Sequence, residues 1–157
     1  MPLHFSRNPE KPMLGLIGQY NHTIDTKGRL SIPSKFRGIL GNEFIVAKSI
    51  DGCLNIYTLA AWEEQEKKLS ELPSLDKNAR DLKRFLHTGV ATVEPDPHGR
   101  ILVPMVLREY AGLNKDVTII GMNDKAEIWD TERFERKNSE FDMDGAAEAL
   151  LSKGISI

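Results

Sequence analysis

The chain has 157 residues, 40% hydrophobic and 28% charged, an ordinary folded composition that excludes wholesale disorder. A formal net charge of −2 excludes a uniformly basic nucleic-acid binder, and the single cysteine, Cys53, excludes an intrachain disulfide and a cysteine-rich zinc site. With no apolar signal core at the start and no apolar run of membrane-span length, the expectation is a cytoplasmic chain without a membrane partner.

Residues 1–13 carry three prolines and no periodicity and are expected to form a flexible amino-terminal arm. From Gly18 onward Tyr20, His22 and Ile24 alternate with Asn21 and Thr23, which predicts a strand closed by Asp25. Three residues ending in glycine separate Asp25 from Arg29, the pattern of a type I turn followed by a left-handed residue that forms a bulge. Gly28 takes that left-handed position without steric cost. Leu30 and Ile32 then point inward, so Arg29 faces solvent at a hairpin tip.

Pro33 stands where a short helix can start, Phe36, Ile39 and Leu40 follow at helical spacing, and Gly41 supplies a left-handed stop. Strands are expected at Phe44–Val46 and Asn55–Tyr57, with Thr58 capping a charged helix whose apolar stripe is Leu59, Trp62, Leu69 and Leu72. Pro73 breaks it, and Leu82, Phe85 and Leu86 mark a second helix.

Beyond this point the chain repeats itself. Asp96-Pro97-His98-Gly99-Arg100, then Pro104, Arg108 and Gly112, match Asp25-Thr26-Lys27-Gly28-Arg29, Pro33, Arg37 and Gly41 at a constant offset of 71 residues. Ile101 and Val103 repeat the inward set, Leu107, Tyr110 and Ala111 the helix, and Val117–Ile120 and Glu127–Trp129 the strands. Asp130 repeats the cap at an offset of 72, which implies one inserted residue. The expected organisation is an arm over 1–13, a first repeat with its helix over 14–72, a linking helix over 73–88, a second repeat over 89–141 and a tail over 142–157 with a short helix near Ala146–Leu151. Half of such a chain buries too little apolar surface to stand alone, so both copies are expected to share one core.

Charge is unevenly spread: 7 Lys and Arg against 4 Asp and Glu in residues 1–58, 6 against 6 in 59–84, and 8 against 13 in 85–157. A polyanion surface is therefore expected on the first copy. Lys27 and Arg29 also fit solvated turn residues with no partner. Asp25, Asp96 and Gly99 read as loop-organising: each aspartate accepts loop N–H groups or holds the arginine four residues on. Arg37 and Arg108 read as structural, pairing with Asp25 or Asp96 or covering helix ends. A sharper reading makes Asp25 and Asp96 a general acid and base in a hydrolase, which requires a dry shared pocket and is opposed by an arginine beside each. His4, His22, His87 and His98 show no metal spacing, and no catalytic residue, metal or other cofactor is assigned.

Duplicated Asp-x-x-Gly-Arg turns, each followed by Pro and Arg, with Ile-Tyr or Ile-Trp strands before a helix, resemble the MraZ family of bacterial transcriptional regulators over about residues 14–141. The resemblance implies a mainly β fold with flanking helices (α+β), a swapped-hairpin β-barrel of the AbrB type built from two repeats in one chain. It further implies a nucleoid-associated, non-enzymatic DNA binder, assembled as a homo-oligomeric ring. Such a protein recognises short tandem G-rich repeats in double-stranded DNA upstream of the division and cell-wall gene cluster, which it represses, and takes no small-molecule substrate. The DNA-facing set it implies is Lys27, Arg29 and Arg100, with backbone contacts from Thr26 and Gly28. Two alternatives remain: an antitoxin-like protein-interaction module of the same barrel type, whose tail wraps a partner, and the aspartate hydrolase.

Overall fold

The repeated sequence makes the same elements twice. The computed structural model describes residues 15–157, and the arm expected over 1–13 lies outside them. The first copy runs β1 (Leu16–Thr23), β2 (Arg29–Ser31), α1 (Ser34–Leu40), β3 (Phe44–Lys48), β4 (Leu54–Thr58) and α2 (Leu59–Ser70). After α3 (Lys77–His87), the second runs β5 (Ala91–Val93), β6 (Arg100–Leu102), α4 (Met105–Ala111), β7 (Asp116–Asn123), β8 (Ala126–Asp130) and α5 (Thr131–Ser139), and α6 (Met143–Ser152) closes the chain.

Each copy gives its first strand to the other. The main antiparallel sheet has the order β1-β7-β8-β4-β3-β5, so β1 pairs with β7 of the second copy and β5 with β3 of the first. β2 and β6 leave this sheet and pair with each other as a separate two-stranded ribbon, with Leu30 also bridged to Ile24 across its own turn. The α+β class with exchanged strands is what the chain adopts, and the six-stranded sheet stays open, with β1 and β5 at its edges. A pseudo-twofold axis passes between the equivalent residues Leu30 and Ile101, which face each other in the β2–β6 pair, and between Asn55 and Glu127 in the β4–β8 pair.

Register refines the single insertion expected from sequence. Phe44 opposes Thr58 while Val117 opposes Asp130, so the third strands are offset by 73 residues and the fourth by 72. Two residues were gained before β7 and one lost in the turn after it.

One apolar cluster draws on both copies: Leu30, Ile32, Phe36, Leu40, Val46 and Ile56 meet Ile101, Val103, Leu107, Ala111, Ile119 and Ile128. Burial of each of the larger side chains among these is worth roughly 1.5–3 kcal/mol. This is why neither half is expected to stand without the other. Pro33 and Pro104 occupy the residue just before α1 and α4. Gly112 ends α4 in the left-handed helical region, whereas Gly41 has φ 80° with an extended ψ of −165°, so only the second copy has the expected left-handed stop.

Thr58 accepts a hydrogen bond from the Ala61 N–H and Asp130 from the Arg133 N–H, the two expected caps. Leu59 and Leu82 depart from the apolar stripes expected for α2 and α3 and are 44% and 41% exposed. α3 instead touches the body through Phe85, edge-on to Tyr110, and through His87, whose Nε2 meets Glu66 Oε1 of α2 at 2.6 Å. The tail helix, α6, is longer than expected, capped by Asp142, and buries no residue. Among the described residues no helix is long and apolar enough to cross a membrane.

Candidate nucleic-acid interface

Both Asp-x-x-Gly-Arg segments close as the bulged type I turn read from the sequence. Gly28 N–H donates to Asp25 O at 3.0 Å and Asp25 N–H to Arg29 O at 3.1 Å, and the second turn repeats these bonds at 2.9 and 2.8 Å between Gly99, Asp96 and Arg100. Gly28 and Gly99 have φ of 90° and 78°, the left-handed region that a glycine is needed for.

Each aspartate uses both oxygens, and the two alternatives for its role both hold. Asp25 Oδ1 accepts the N–H of Lys27 at 3.0 Å and of Arg29 at 2.9 Å, while Oδ2 takes Arg29 Nε at 2.6 Å. Asp96 does the same with His98, Arg100 and Arg100 Nε at 2.8, 2.9 and 2.9 Å. The Arg29 backbone N–H and then its guanidinium hold the Asp25 carboxyl at about 2, below its ordinary 3.8, and the Arg100 backbone N–H lowers Asp96 in the same way. An acid catalyst requires the opposite shift, which argues against the general acid–base pair considered above.

The structure goes beyond the sequence in how it places the two turns. Arg29 opposes Leu102 and Ser31 opposes Arg100 across the β2–β6 ribbon, with Leu30 and Ile101 directed into the core. Opposed residues and their second neighbours share a face, so Arg29, Ser31, Arg100 and Leu102 all look outward. The Arg29 and Arg100 side chains are 42% and 36% exposed. In each, the aspartate holds the guanidinium by Nε. Gly28 O accepts Val103 N–H at 2.8 Å and Gly99 O accepts Ile32 N–H at 3.0 Å, which fixes one turn at each end of the ribbon.

Arg37 and Arg108 are structural, as expected, but among the described residues the aspartates are paired with Arg29 and Arg100 instead. Each donates Nε to the carbonyl before its own proline, Arg37 to Ile32 O at 3.0 Å and Arg108 to Val103 O at 2.9 Å. Each then lies over the turn glycine of the other copy: a Cβ on Gly99 would fall 2.1 Å from Arg37 Cζ, and one on Gly28 would fall 2.7 Å from Arg108 Nε. Strand exchange brings them there. Their exact repetition in sequence was the available signal, but the partner glycines were not legible.

The ribbon register and the two arginine–glycine contacts bring Arg29 and Arg37 of the first copy together with Arg100 and Arg108 of the second, whatever the balance along the chain. Cys53, by contrast, is buried, and burial pushes its thiol up to about 12, which makes it unreactive.

The chain matches the family described as "MraZ protein, putative antitoxin-like" in two segments, residues 16–85 and 86–152. A protein of Acetivibrio thermocellus named transcriptional regulator MraZ is 48% identical over 136 residues, covering 87% of this chain and 94% of the relative. Proteins of the same name from Clostridium acetobutylicum and Caldicellulosiruptor saccharolyticus are 46% and 47% identical, each covering 99% of the relative and 88% and 89% of this chain. With both repeats matched and both turns intact, the chain belongs to the MraZ family.

Proposed function

We propose that the protein is a transcriptional regulator that lays the β2–β6 ribbon and its two turns into the major groove of DNA. The observation that carries this reading is the register that sets Arg29 and Arg100 on one exposed face. Diagonal neighbours on a ribbon lie about 7–8 Å apart, close to two base-pair steps of about 3.4 Å each. The terminal amino groups of each arginine match guanine O6 and N7, worth roughly 1–3 kcal/mol of base discrimination per pair. Lys27, a point charge, suits phosphate, and the Thr26 and Gly28 backbone flanks it.

On this reading the chain works in the cytoplasm on the nucleoid, represses the division and cell-wall gene cluster from tandem G-rich repeats, and binds as a homo-oligomeric ring. A net charge of −2 with one basic face per chain supports the ring, since tandem faces raise the effective concentration on tandem sites. The relatives' shared name supports the regulatory role. The test is a gel shift with DNA upstream of the protein's own gene. Wild type is expected to bind several repeats far more tightly than one at fixed salt, and the Lys27→Ala, Arg29→Ala double variant to lose specific binding while staying folded. Equal affinity for one repeat and many overturns the multivalent part, and unchanged binding by the variant overturns the interface.

The antitoxin-like alternative draws on one observation. Phe141, Met143, Leu151 and Ile155 in and around α6 are 62%, 67%, 60% and 49% exposed. Co-purification of a stoichiometric protein partner, lost on deleting residues 142–157, would favour it.

A further inference from the structure

Leu102 stands directly opposite Arg29 on the outward face of the ribbon and is 58% exposed. Its equivalent in the first copy is Ser31, which stands opposite Arg100. The face is therefore unequal at its two ends, an arginine with a leucine at one and an arginine with a hydroxyl at the other. Folding does not account for the leucine, because the inner side of the ribbon is already closed by Leu30 and Ile101, exposed 0% and 1%.

We propose that Leu102 reads the 5-methyl group of a thymine beside the guanine bound by Arg29, an inference that rests on the ribbon entering the major groove. Thymine is the one base that shows a methyl group there, and apolar side chains recognise it by contact. Asp25 holds Arg29 by Nε, which fixes the arginine on the face it shares with the leucine. Opposed Cβ atoms lie about 4.5–5.5 Å apart, more than one base-pair rise of about 3.4 Å and less than two. The isobutyl group thus falls on the base pair flanking the guanine. At the other end the Ser31 hydroxyl accepts or donates to several bases and confers no methyl preference. The pseudo-symmetric ribbon thereby gains a direction along the duplex.

The test uses the upstream duplex that wild type shifts, with each thymine replaced in turn by deoxyuridine, which removes the methyl group and keeps every hydrogen-bonding atom. Wild type is expected to lose about three- to fivefold in affinity per repeat at one thymine adjacent to a guanine, the effect of one methyl group leaving an apolar contact. Leu102→Ala is expected to bind thymine and uracil duplexes alike, at the affinity wild type shows for uracil, with an unchanged melting temperature. Equal wild-type affinity at every thymine overturns the proposal, as does a thymine preference that survives in Leu102→Ala. The comparison is between two duplexes that are both bound, so it fails separately from the regulator reading. If no duplex is bound at all, that reading falls and Leu102 falls with it.

Discussion

The turns Asp25–Arg29 and Asp96–Arg100 are hydrogen-bonded alike, yet they offer different chemistry to a ligand. Thr26 and Lys27 become Pro97 and His98, and around them Ser31, Ser34 and Lys35 become Leu102, Met105 and Val106, exposed 58%, 57% and 44%. What stayed constant is what holds the backbone: the aspartate, the glycine and the arginine clamp. What diverged points to solvent. A duplicated scaffold thus keeps its geometry through a few internally bonded residues while its two ends specialise.

The largest expected difference between the two ends is in DNA affinity. Arg29→Ala and Arg100→Ala are each expected to reduce specific binding by roughly tenfold to a hundredfold, the loss of one bidentate base contact. Arg29→Ala should have the greater effect, since Lys27 and Leu102 act beside it. Titrations at one salt concentration check this, and equal losses would make the two ends equivalent.

Next comes stability, where the two turns should again differ. Alanine at Gly28 or Gly99 enters a left-handed conformation at about 1–3 kcal/mol. At Gly99 the three nearest atoms belong to the Arg37 side chain, which can swing away, whereas at Gly28 the Val103 carbonyl oxygen of the backbone stands 2.8 Å from the new Cβ. Gly28→Ala should therefore be the less stable variant in urea unfolding.

A smaller, sharper difference lies in salt dependence. Lys27→Ala should flatten the slope of log affinity against log salt by about 0.9 for one lost phosphate contact, and His98→Lys should steepen it by a similar amount. A silent His98→Lys would show that the second turn stands off the phosphates.

The smallest effect is acid sensitivity. Asp25 is held near 2 in the fold against 3.8 ordinarily, so falling pH protonates the unfolded chain first. Its stabilising contribution is present above about pH 4 and lost towards pH 2. Wild type and Asp25→Asn should differ in melting temperature at pH 5 and converge near pH 2, modestly because the pair is exposed.

The local pieces are legible in the residues alone. The bulged turns, the Thr58 and Asp130 caps and the strands of each copy follow from short-range sterics and hydrogen bonds within a few residues, which is why Asp25, Gly28 and Arg29 could be assigned their geometry unaided. Only the tertiary structure decided what those pieces build. That β1 crosses to β7, that β2 finds β6, that Arg37 covers Gly99 and that Leu102 stands across from Arg29 all depend on contacts between residues about 60 apart or more. Those contacts exist because neither copy can bury Leu30, Phe36, Ile101 and Leu107 alone, and closing one shared core over them carries both charged turns to the same face.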